Sequence, residues 1–229
     1  MNYKKLKKLI KTKIESAPPS EAVKELNSFK FKQLAGPLKG LLFDPDPLIK
    51  FRASELLGLL AKDAAEENIE QVRDLMRQLM WNLNEESGGI GWGSVEAMAE
   101  IASNNKKILN EFFKIIISYS DPLSSSFLDH EALHPGAAWA VGKILKETQE
   151  IDHYTKYVTK VLLDHKNPQV KGCALWGVSH LSDISGIDQS IKDLEKSNES
   201  FDLYKNSRIE TLSLTEMAEQ ILKLKDYRK

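Results

Sequence analysis

Apolar residues fall at the same four offsets in four places along the chain. Ile49 is followed by Ala53, Leu57 and Leu60; Gly91 by Val95, Ala99 and Ala102; Leu133 by Ala137, Val141 and Ile144; Val170 by Ala174, Val178 and Leu181. At 100° per residue the offsets 0, 4, 8 and 11 return to one side of an α-helix, so each set predicts a helix with a single buried stripe. A second helical pattern precedes each stripe, over Leu34 to Phe43, Ile69 to Leu83, Lys106 to Tyr119 and Tyr154 to Leu163. The first positions of the four stripes lie 42, 42 and 37 residues apart, the period of a two-helix repeat whose neighbours stack to bury a shared core.

Turn and cap signals divide these elements. Pro18-Pro19-Ser20 separates a leader from a short helix with Val23, Leu26 and Phe29 on one side, and Ser20 is expected to cap it. Pro37 is expected in the first turn of its helix, Asp44-Pro45-Asp46-Pro47 makes a turn, and Asn68 with Gln71 three residues on opens the next helix. Beyond Ser182 the period fails. Asp188 to Ser197 reads as a helix, Phe201–Tyr204 and Arg208–Leu212 as a hairpin around Lys205-Asn206-Ser207, and Ser213 with Glu216 as the start of a last helix through Met217, Ile221 and Leu224. The predicted architecture is all-α: a solenoid of about four to five helix pairs with a small C-terminal hairpin-plus-helix cap. One domain spans 1–229, with a helical leader over 1–30, repeats over 31–182 and the cap over 183–229.

Composition narrows the function classes. The lone Cys173 forms no internal disulfide and sits in the fourth repeat helix, among Val170, Ala174 and Val178, where it reads as a small core residue in a reducing compartment. A net charge of −1 supplies no field for polyanions, so generic nucleic-acid binding is not expected. The leader is the local exception: Lys4, Lys5, Lys7, Lys8, Lys11 and Lys13 alternate with Leu6, Leu9, Ile10 and Ile14. That pattern fits a solvated first helix packed on its neighbour, or else a weak contact with an anionic surface. Neither a secretory leader nor a run of about 18 apolar residues is found, and a cytoplasmic location is expected.

Pro47-Leu48-Ile49-Lys50-Phe51-Arg52-Ala53 with Leu56-Leu57-Gly58, and Pro168-Gln169-Val170-Lys171 with Ala174, resemble repeats of the phycobilisome-lyase-like HEAT family over about residues 30–182. Gly91-Trp92-Gly93 and Leu133-His134-Pro135 depart from it by lacking the basic second residue. The resemblance implies a HEAT-like solenoid and a binding surface; members include chromophore-lyase subunits and scaffolds.

Opposite the buried stripe, offsets 2, 5, 6 and 9 mark a candidate groove. Trp139 and Trp176 share offset 6, and either face that groove or turn toward a neighbouring helix; Trp92 and His134 share offset 1. Indoles in a row suit capture of a peptide, since each offers large area and a donor. Trp92, His134, Trp139 and Trp176 are therefore the expected anchors for a protein or peptide partner, with Arg52, Glu55, Glu96 and Lys171 setting register. Removing Trp139 and Trp176 together is expected to abolish capture without unfolding the chain. The glycine-rich stretch from Trp81 to Gly93 adds a candidate rim at Trp81, Glu85, Glu86, Gly88 and Gly89, or else a shaped turn between helices. His130-Glu131-Ala132-Leu133-His134 spells the zinc-protease motif, but that motif needs both histidines on one helical face and a third ligand. The repeat register starts the helix near Leu133 and leaves His130 in a loop, so no metal or cofactor is expected; His130, Glu131 and His134 remain the alternative ligand set. The expected function is a non-catalytic adaptor or scaffold, and the alternative an enzyme or ligand handler on the same fold: chromophore-lyase-like, glycosylase-like or zinc-dependent.

Overall fold

Leu6, Ile10 and Ile14, spaced four apart, are the buried stripe of the first helix, α1 (Tyr3–Ser16), whose start is capped by the Asn2 side chain accepting from Lys5 N–H at 3.0 Å. Fully burying each such side chain is worth roughly 1.5–3 kcal/mol. The structure, a computed structural model, describes residues 1–84 and 90–226. It is mostly helical, with one two-stranded sheet among the described residues. No described helix is long and apolar enough to cross a membrane. Contacts gather the chain into two units: Met1–Phe113 with Asn206–Arg208, and Lys114–Lys205 with the chain from Ile209 onward.

In the first unit, α1 leads to α2 (Pro19–Leu26) and α3 (Phe31–Leu41). Two sequence expectations are corrected here. Ser20 lies inside α2 and makes no cap; Pro18 takes that position, because Pro19 at the first helical residue holds its predecessor extended. Pro37 is not in a first turn but buried inside α3, which begins earlier, where the Gln33 side chain reaches back to Lys30 N–H at 2.9 Å. The Asp44–Pro47 turn ends at Asp46, whose carboxylate accepts from Leu48 N–H at 2.9 Å and opens α4 (Pro47–Leu83). Asn68 breaks that helix in two with φ −160° and ψ 96° and caps its second half, accepting from Glu70 N–H at 3.1 Å, as the sequence predicts. α5 (Ser94–Ser103) follows Gly93, which adopts φ 70°, a conformation that suits glycine. The backbones of α4 and α5 come so close that a Cβ on Gly58 would lie 2.7 Å from the Glu100 carbonyl oxygen. α6 (Lys106–Ser118) begins in this unit and ends in the next.

In the second unit a short 3₁₀ turn, Glu131–Leu133, leads into α7 (His134–Thr148), followed by α8 (His153–Leu163), α9 (Pro168–Val178) and α10 (Asp188–Leu194). α7 and α9 cross at glycines: a Cβ on Gly177 would lie 2.5 Å from the Gly142 Cα. The strands β1 (Ser200–Lys205) and β2 (Arg208–Ser213) form the predicted hairpin, with a two-residue turn at Asn206-Ser207 rather than the three-residue loop expected. Both turn residues have positive φ, 51° and 60°, which matches the right-handed twist of the strands. Ser213 caps α11 (Leu214–Asp226), accepting from Glu216 N–H at 3.3 Å. The stripe of α11 is Leu214, Ala218 and Ile221, while Leu224 is exposed, contrary to expectation.

Candidate functional site

Trp139 and Trp176 do lie together on α7 and α9, with rings stacked at 6.0 Å, but they are only 2% and 7% exposed. They are core residues, not open anchors, and the hairpin is the reason. Trp139 Nε1–H donates to the Tyr204 carbonyl of β1 at 3.0 Å, and the Tyr204 ring meets its face edge-on at 6.2 Å. Phe201, three residues earlier on the same strand, occupies the space a side chain at position 172 would need: a Cβ on Gly172 would lie 2.0 Å from the Phe201 ring. Gln169 completes the cover by pairing with β1 as a neighbouring strand would, accepting from Asp202 N–H at 2.8 Å and donating to the Asp202 carbonyl. Lys171, expected to face a partner, instead meets Glu199 at 3.4 Å. The Ser197 hydroxyl, with Lys171 behind it, holds the Glu199 carboxyl below its ordinary range.

The charged residues of the first unit are likewise engaged by the chain itself. Arg52 donates through Nε to the Ser207 carbonyl at 3.0 Å and through a terminal nitrogen to the Ile14 carbonyl at 2.6 Å, joining the hairpin turn to the end of α1. Glu55 accepts the Ser207 hydroxyl at 2.9 and 3.0 Å through its two oxygens. Glu96 is 2% exposed and pairs with Lys50 at 3.3 Å, so it is no surface register residue. The leader lysines divide: Lys7 donates to the Gly40 carbonyl at 2.8 Å, Lys11 pairs with Asp44 at 2.7 Å and Lys13 with Glu25, while Lys4, Lys5 and Lys8 are exposed.

Of the three expected tryptophan anchors, Trp92 is the one that meets solvent. It lines a depression of about 270 Å³ with Phe43, Asp44, Pro45, Pro47 and Lys50. Phe43 is 47% exposed at the end of the α3 segment. Sequence reasoning missed it, since Leu42 and Phe43 look alike as the close of an apolar stripe; the adjacent Asp-Pro-Asp-Pro turn is the signal that places the last aromatic outside. Trp81 is 72% exposed; Glu85, Glu86, Gly88 and Gly89, the rest of the expected rim, lie outside the described residues.

The three residues of the zinc-like motif do not converge. His130 sits ahead of the 3₁₀ turn and accepts from Ala132 N–H at 3.3 Å, Glu131 pairs with Lys166 at 2.7 Å, and His134 Nε2–H donates to the Leu128 carbonyl at 2.7 Å. No group of three metal-ligating side chains gathers among the described residues. His134 instead meets His165 edge-on at 5.5 Å, and both line a cavity of about 40 Å³ with Tyr119, Ser120 and Phe127. Burial, and then His134, holds the His165 imidazole below its ordinary value; burial pushes the Tyr119 phenol up to about 12. Ser120 Oγ has no hydrogen-bond partner.

Fold and site thus define a mostly helical protein with an open aromatic depression and a separate face closed by its own hairpin. No protein-family model matches the chain. It is similar to an uncharacterized protein of Archaeoglobus fulgidus, 25% identical over 185 residues, which span 79% of this chain and 91% of that protein.

Proposed function

We propose that this chain is a non-catalytic, cytoplasmic protein-binding adaptor or scaffold, built as a HEAT-like solenoid of the phycobilisome-lyase-like kind, and that its contact with a partner is made at the Phe43/Trp92 depression. Two features support the solenoid: the 42-residue spacing of the stripes, and the close crossings of successive stripe helices, α4 with α5 at Gly58 and α7 with α9 at Gly142 and Gly177. The observation that carries the binding reading is the pairing of half-exposed Phe43 with Trp92 around a depression of about 270 Å³. An exposed aromatic beside a concavity costs solvation and is the usual chemistry of an interface hot spot. Screening an array of extended peptides against the wild type and a Phe43→Ala/Trp92→Ala variant tests it. Peptides retained by the wild type and lost by the variant are expected; an array with no retained peptide would remove the assignment.

A ligand-handling role is the second reading, favoured by one observation: the unpartnered Ser120 hydroxyl, 4% exposed, lining the cavity beside His134 and His165. A small-molecule thermal-shift screen whose hits vanish in Ser120→Ala would advance it.

A further inference from the structure

The chemistry of the depression narrows what fills it. Among the described residues its two ionic groups are already engaged: the Asp44 side chain, 9% exposed, pairs with Lys11 at 2.7 Å, and Lys50 pairs with Glu96 at 3.3 Å. A charged occupant would have to break one of these pairs, and the Lys50–Glu96 pair is largely buried, where removing one partner is strongly unfavourable. The remaining walls are Trp92, Phe43 and the two prolines, all of them rigid or apolar. The occupant is therefore uncharged and presents apolar side chains.

Its backbone shape follows from size. An amphipathic helix spreads its anchors at i, i+3, i+4 and i+7 over a length of about 10 Å, and this depression offers two aromatic walls rather than such a row. A strand would require a sheet edge, and no strand among the described residues lines the depression. A polyproline II segment fits both limits. It repeats every three residues, carries its apolar rings on short stems, leaves its carbonyls free as acceptors, and is ordered before it binds, so that docking on aromatic faces loses little conformational entropy.

We propose that the Phe43/Trp92 depression is a recognition site for a neutral, proline-rich polyproline II segment of a partner protein. This deepens the adaptor reading and rests on it. The test titrates acetyl-(Pro)10-amide, and a Gly/Ser decamer as control, into ¹⁵N-labelled wild type, Phe43→Ala, Trp92→Ala and Trp92→Phe. Saturable shifts at the amides of Phe43, Asp44 and Trp92 are expected with the proline peptide alone. Each alanine variant should weaken binding by roughly tenfold or more, the loss of one hot-spot side chain, whereas Trp92→Phe, which keeps an aromatic wall, retains most of it. Phe43 is exposed, so its variant keeps the fold and reports the site even where Trp92→Ala does not. No saturable shift at millimolar peptide, or binding unaffected by Phe43→Ala, overturns the proposal. If the array of extended peptides instead yields proline-free sequences that depend on Phe43, the proline assignment falls while the adaptor site stands; if the array yields none, both fall.

Discussion

Ser207 is held in a conformation that disfavours it, and a double-mutant cycle with Glu55 measures what holds it there. With φ 60° the residue lies in the left-handed region, which costs a non-glycine side chain about 1 kcal/mol or more. Against that cost stand its hydroxyl, shared between the Glu55 oxygens at 2.9 and 3.0 Å, and its carbonyl, held by Arg52 Nε at 3.0 Å. A hydrogen bond to a charged group contributes about 1.5–3 kcal/mol, and partial exposure places this one near the lower end. Ser207→Ala removes the hydroxyl and keeps the strain, so a loss near 1.5 kcal/mol is expected. Ser207→Gly removes both, and should lie about 1 kcal/mol above the alanine variant. In a Glu55→Ala background the alanine substitution should cost almost nothing, giving a coupling of about 1.5 kcal/mol. Urea unfolding of the four proteins of the cycle, followed by circular dichroism, reads these differences. A coupling below about 0.5 kcal/mol, the ordinary noise of additivity, would refute the contact as the reason for the strained turn.

Two other outcomes follow from burial. Trp139→Ala removes a 2%-exposed indole and leaves the Tyr204 carbonyl without its donor, so a loss of about 3–5 kcal/mol is expected; urea unfolding that shows the Trp139→Ala/Trp176→Ala variant as stable as the wild type would contradict the packing. Acidification should also destabilise the fold. The folded state keeps His165 and His180 below their ordinary values, chiefly through burial, so between about pH 6.5 and the lower folded values the unfolded chain binds protons that the native chain refuses. Stability is therefore fully present above that window and falls as pH drops through it. The melting temperature should be lower at pH 5.5 than at 7.5, and less so in His165→Gln; an unchanged or higher value at pH 5.5 would exclude the mechanism.

Much of the helical framework was legible because its determinants are local. Asn68 caps the helix that its spacing from Gln71 announces, and the Ser213 cap, the hairpin and three of the four leader stripe residues, Leu6, Ile10 and Ile14, with Leu9 only half-buried, follow from period and turn chemistry alone. The misplacements at Ser20 and Pro37 have a single physical root. Proline signals a boundary in both places, yet one proline begins a helix a residue earlier than the serine and the other is carried inside one that has already started at Phe31. The site was legible only as composition. Offset 6 correctly brought Trp139 and Trp176 together, but whether a face meets water depends on a segment some 30 residues away from the nearer of them, and helical periodicity contains no information on such a contact.

A sign of that contact was nonetheless present in the chain. Gly172 stands at offset 2 of its repeat, on the face opposite the stripe, where a binding groove would be lined by side chains. Glycine in a helix interior costs about 1 kcal/mol relative to alanine, so its presence there signals that something large comes close. Phe201 is that neighbour, and the strand carrying it also supplies the acceptor for Trp139. The same reasoning explains why the two aromatic sets differ in fate. Trp139 and Trp176 have an occupant built into the chain, with a glycine cleared for it and a carbonyl placed for the indole. At Phe43 and Trp92 the chain instead pairs off the described ionic groups that line the depression, Asp44 and Lys50, and leaves a half-exposed ring beside it. A face closed by its own residues gains stability from them; a half-exposed aromatic ring beside a concavity gains further burial when a partner covers it.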